Sequence, residues 1–157
     1  MAGELFKMMA GINLVHVPYR GEGPAIADLV GGQVQFMFST LSACIEFIRA
    51  RSIRALAVST RTRWETVPDV PAAAEFLPGY DVAAWFGLAA PGNTPPDIVQ
   101  KLNREVGAAL ADAKLKSRLA ELGSEPLTLT PSAFRQHIVN EVEQWAKVVK
   151  FSGAKLE

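Results

Sequence analysis

Leu5, Met8 and Met9 repeat at the spacing of one helix face, and Gly11 stands where that helix would stop. Leu14 to Val17 is then a short apolar run that reads as a strand. A helix is predicted from Pro24, closed by Gly31-Gly32. Val34 to Phe38 reads as the next strand. Leu41, Cys44, Ile45 and Ile48 form one face of a helix ending near Arg49, and Ile53 to Val58 reads as a third strand. The strand–helix alternation with short turns predicts an α/β fold with a parallel-type sheet and flanking helices. The apolar strands, mostly unbroken, fit a sheet buried on both faces.

The pattern changes after Ser59. The stretch from Ser59 to Asp81 is rich in proline and reads as an irregular excursion, with one short helix between Pro71 and Phe76. Val82 to Ala90, "VAAWFGLAA", is a longer apolar segment. The last third is helical. Thr94 is set as an N-cap with Pro95 behind it, and Ile98, Leu102, Val106 and Leu110 step along one face. Asp112 is placed to cap a second helix and Thr130 a third, whose apolar stripe is Phe134, Ile138, Val142, Trp145, Val148 and Val149.

In a parallel sheet the strand-to-helix turns lie at one edge, where ligands bind. Three such turns are predicted: "YRGEGPA" at Tyr19 to Ala25, "FSTLSA" at Phe38 to Ala43, and "STRTR" at Ser59 to Arg63. Helix starts carry unpaired N–H groups and a partial positive charge, so turns converging on one crevice would hold a carboxylate or phosphate. Gly21 and Gly23 allow close backbone approach, Tyr19 offers a wall and a hydroxyl, and Arg20 a charge-assisted bond. The plainer alternative is that glycines and hydroxyl residues are ordinary turn chemistry. Glu22 argues against an anion unless its side chain turns away.

Composition narrows the classes. Sixteen basic and sixteen acidic residues cancel in a chain of 157, and no basic block or basic–aromatic alternation points to nucleic acid. The first residues read as a helix, without the pattern of a secretory leader. Cys44 is the only cysteine and lies on an apolar helix face, which reads as a buried, inert thiol. His16 and His137 read as structural. No Walker A, dinucleotide fingerprint, nucleophile elbow, metal-ligand spacing or paired-carboxylate site is present. The residues offer means to hold a ligand and little with which to transform it. They imply no enzyme and no cofactor.

"VPYRG", "DLVGGQV", "VPDVP", "WFGLAAPGNTP" and the closing "WAKVVKFSG", in that order along essentially the whole chain, resemble the Bug family. These are periplasmic solute receptors of tripartite tricarboxylate transporters. The resemblance implies a periplasmic-binding-protein-like (type II) fold, with two α/β domains joined by crossing strands and ligand closed between them. It implies small carboxylate ligands held mainly by backbone amides and water, and a membrane permease as partner. It puts Tyr19, Arg20, Gly21, Gly23, Pro24 and Ala25 on one ligand-side loop and Ser39 and Thr40 on a second. Trp85 and Phe86 fall on an interdomain strand. Many relatives read Lys-Gly-Gly-Gly where this chain has Arg20-Gly21-Glu22-Gly23, and many have Asp and Pro in the second loop. Loss of that Asp removes a partner for a ligand ammonium and leans the reading towards a simple carboxylate.

By the same resemblance, residues 1–90 match the second lobe of a receptor. Residues 91–157 match the C-terminal helical segment that would complete the first, and most of that first domain is missing. Uncovered apolar stripes on those helices predict self-association. Three other readings stand beside the receptor: a cytoplasmic ligand-sensing domain, a small α/β enzyme acting on an anionic metabolite, and a truncated remnant that binds nothing.

Overall fold

The computed structural model describes residues 1–153. They form two compact units, Met1–Ala84 and the residues from Trp85 onward.

The first unit begins with α1 (Ala2–Ala10), which ends where Gly11 turns left-handed at φ 64° and donates to the Lys7 carbonyl. Its apolar face delivers Leu5 to the core and Phe6 to an aromatic cluster. Phe6 meets Phe38 at 5.7 Å and the edge of Tyr80 at 5.5 Å. The ring of Phe38 lies 3.2 Å from where a side chain on Gly3 would start, so the helix seats directly on it. Tyr80 is fully buried, and its hydroxyl donates to the Ala2 carbonyl at 3.2 Å. Burial pushes its pKa up to about 12. The helices α2 (Glu22–Val30) and α3 (Leu41–Arg49) pack on each other and bury Ala25, Ile26, Cys44 and Ile45.

The predicted strands are not joined into a sheet among the described residues. Residues 12–19, 36–40 and 54–57 run without a ladder, and the isolated bridge between Val58 and Ala72 is parallel. The hydrogen bonds at that place explain the difference. Val58 donates to the Pro71 carbonyl and accepts from Ala73, each at 2.8 Å, while the Ser59 carbonyl accepts from Val82 at 2.8 Å. The third predicted strand therefore pairs with the proline-rich excursion and its 3-10 turn, Ala73–Glu75. An apolar run records an affinity for burial and leaves the pairing partner open. Val15, at 88% exposed, and Leu56, at 51%, have no covering layer. His16, expected within a strand, is exposed.

The second unit holds α4 (Pro96–Ala111), α5 (Ala113–Glu121) and α6 (Pro131–Ser152), with α4 packed on both others. Asp112 caps α5 by accepting from the Leu115 amide at 2.9 Å, and Thr130 caps α6 by accepting from Ala133 at 3.2 Å. α4 starts one residue later than its pattern predicts, with Pro95 as N-cap. Its apolar stripe stays open to solvent, with Ile98 45% and Leu102 41% exposed.

Candidate functional site

The first candidate turn is shaped by Gly21. Its backbone, φ 134° and ψ 173°, lies in a region that only glycine occupies without strain. This residue is the N-cap of α2, which starts at Glu22, two positions before the expected Pro24. Gly23 and Pro24 therefore lie in the first helical turn. Pro24 has no N–H to offer, and no side chain caps this end of the helix among the described residues. Gly21 and Gly23 are exposed, and a side-chain carbon on Gly23 would meet nothing within 4 Å. The start of α2 is thus an exposed, glycine-lined helix end that no described side chain caps. Ala25 is buried, so its side chain is scaffold.

The second turn is brought onto the first by Glu22. The Glu22 carboxylate reaches across to the start of α3. There Oε1 accepts from the Thr40 amide at 2.7 Å and from the Ser39 hydroxyl at 3.3 Å, and Oε2 accepts from the Thr40 hydroxyl at 2.8 Å. Ser42 donates in turn to the Thr40 hydroxyl at 3.3 Å. Thr40 is the N-cap of α3, yet its side chain caps no amide of its own helix; its hydroxyl donates to Glu22 and accepts from Ser42. Gly21, Gly23, Ser39 and Thr40 accordingly share one side of the first unit. Just below, Cys44 is buried and donates weakly to the Leu41 carbonyl. Burial pushes its thiol pKa up, the hydrogen bond with Ser39 offsets part of that, and the charge of Glu22 adds to the rise.

Tyr19 is committed elsewhere. Its hydroxyl donates to Asp28 Oδ2 at 2.7 Å, which raises its pKa and ties the turn to the side of α2. Arg20 is exposed, and no ion pair to it occurs among the described residues.

The third turn does not join the other two in the role expected of it. No helix follows it; bends do. Ser59 donates to the Val82 carbonyl at 2.7 Å, Thr60 to Thr62, and Arg61 lies 3.4 Å from Asp81. Arg63 forks onto Glu75 with two bonds of 2.9 Å, and Glu75 also accepts from the Ala72 amide at 2.8 Å. The Arg63 fork and the Ala72 amide hold the Glu75 carboxyl at about 2, below its ordinary 4.5. These groups tie the excursion to itself and hold its two ends together.

Trp85 and Phe86 fall in the second unit. Trp85 stands edge-on to Phe134 at 5.5 Å and meets His137 at 5.1 Å, and Phe86 is 92% exposed. The indoles of Trp85 and Trp145 both donate to Glu141 Oε2, at 3.2 and 3.0 Å. A side-chain carbon on Gly87 would lie 2.4 Å from the Phe134 ring, so that glycine lets the ring rest on the backbone. Glu141 and Gly87 escaped sequence reasoning. The one available signal was a lone glycine inside an apolar extended run, which marks close approach. Glu22 was noticed only as an obstacle to anion binding. Among the described residues no group of His, Cys, Asp and Glu is placed to hold a metal ion.

The model of the tripartite tricarboxylate transporter family receptor matches residues 1–154. BugT of Bordetella pertussis is 37% identical over 98% of this chain, which covers 48% of BugT. The solved structure of Rpa4515 from R. palustris with adipate is 38% identical with a TM-score of 0.88, over 97% of this chain and 51% of that one. MatC from Rhodopseudomonas palustris with bound malate is 36% identical with a TM-score of 0.83, over 94% of this chain and 52% of that one. The chain thus spans about half the length of these relatives and shares the fold of the half it covers. The matching family is one of receptors, which sets aside the small-enzyme reading.

Proposed function

The chain belongs to the tripartite tricarboxylate transporter receptor family, and from that premise we propose that it is the ligand-gripping part of a periplasmic receptor for a small carboxylate. The observation that carries the proposal is the junction of two turns: the uncapped, glycine-lined start of α2 beside the hydroxyl-rich start of α3. Free amides at a helix start attract an anion through both hydrogen bonds and the helix dipole. Gly21 and Gly23 leave room for a carboxylate to reach them. Adipate and malate in the solved relatives have the same chemistry. In the whole receptor, closure around the ligand would present it to a membrane permease.

A thermal-shift screen of the 157-residue chain tests this, with malate, adipate, citrate, L-glutamate and benzoate as probes and glucose 6-phosphate as control. Binding at a hundred times Kd adds about 2.7 kcal/mol to stability. A shift with at least one carboxylate is expected, and a shift with the sugar phosphate alone would refute the reading.

The exposed stripe of α4 and the exposed Val142 of α6, at 63%, want a covering surface, which we propose a second copy of the chain supplies. Full burial of each large apolar side chain is worth about 1.5–3 kcal/mol. Sedimentation at micromolar concentration should give dimers or larger species; a monomer would count against self-association.

A further inference from the structure

The hydrogen bonds around Glu22 go further than the carboxylate reading, on which the following rests. Two hydroxyls of the second turn reach this one side chain: Thr40 at 2.8 Å, and Ser39 at 3.3 Å, which lies equally close to the Thr40 carbonyl, while Ser42 donates to the Thr40 hydroxyl. The Thr40 amide is bonded to it as well. No basic side chain neutralises the carboxylate by an ion pair among the described residues. The N-cap amide and hydroxyl of α3 are therefore already engaged by an internal anion, whereas no described side chain caps the start of α2. A ligand lying between the two turns would meet backbone donors on one side and a carboxylate on the other. Glu22 Oε1 has two donors and Oε2 only Thr40, so Oε2 has capacity to accept another.

We propose that Glu22 is a specificity-determining residue, which makes the site bipolar and selects a carboxylate carrying a hydrogen-bond donor, an ammonium foremost, at its other end. A diacid of the same length would place its second carboxylate against that of Glu22, where the like charges repel and the Thr40 amide and hydroxyl are already engaged. This reverses the lean drawn from the residues of the second turn alone. The acid that turn lacks in its own sequence is supplied by the first turn.

The test compares two ligand pairs that differ at one end: succinate with β-alanine, and adipate with 6-aminohexanoate. Affinities for the full chain are measured by NMR titration at low ionic strength. The wild type should prefer the amino member of at least one pair. Glu22→Gln, nearly isosteric, should lower that preference about tenfold or more, the size of one charge-assisted contact. Glu22→Asp keeps the charge and should keep the direction of the preference, which guards against a Gln variant that fails to fold. A wild-type preference for the diacids, or a preference unmoved by Glu22→Gln, would overturn the role of Glu22 and leave the carboxylate reading standing. The role would also be overturned if Glu22→Asp lost the preference as Glu22→Gln does. If no member of either pair bound, the role of Glu22 would be overturned, and the carboxylate reading would be decided by the wider thermal-shift screen.

Discussion

The two units satisfy their helix ends in opposite ways. In the second, Asp112 and Thr130 each cap the helix they begin, reaching an amide three residues along the chain. In the first, the amide of Thr40, the N-cap of α3, is taken by Glu22, eighteen residues earlier, from the first turn of a different helix. A local cap closes a helix and does nothing more. A distant one also fixes two turns against each other and puts a charge where they meet. The lesson is that a helix start is a vacant anion site only after its donors have been counted, and here the N-cap donors of one of two adjacent starts are already taken.

The contrast breaks most severely if the frame that aligns the turns of the first unit is lost. Tyr80→Ala removes a fully buried ring and its bond to Ala2, and should destabilise the chain by about 3–5 kcal/mol in urea unfolding, as large aromatic truncations do. The chemical shift of the Thr40 amide should move with it, because Glu22 then loses its register. The local caps of the second unit give a smaller effect. Asp112→Ala and Thr130→Ala should each cost about 1 kcal/mol and leave the Thr40 amide unmoved. A shift at Thr40 in either variant would mean that the two kinds of cap are not independent.

The smallest effect is a pH dependence. The Glu75 carboxyl is held at about 2 by Arg63 and the Ala72 amide, so the folded state keeps it charged where the unfolded chain would protonate it. Its contribution to stability is present above the ordinary value of 4.5 and is lost as pH falls through that window towards 2. Glu75→Gln should flatten the acid limb of the stability curve between those values. An unchanged limb would show that this exposed pair contributes nothing measurable, as many surface pairs do not.

Much of the helical frame was legible in the chain. Gly11, Asp112, Thr130 and the apolar stripes mark ends and faces because capping and periodicity act within one or two turns, distances that helix geometry sets by itself. The adjacency of the turns at Gly21 and Ser39 followed from the expected alternation, although the parallel sheet meant to enforce it is not formed among the described residues. Other features lay outside the sequence's reach: Val58 pairing with the proline-rich excursion, Tyr19 turning to Asp28, Glu141 joining two indoles, and Glu22 crossing to α3. Each is a choice between water and a partner distant along the chain. Chain spacing fixes which groups share a helix face, but only the folded path decides which acceptor a long or extended group can reach.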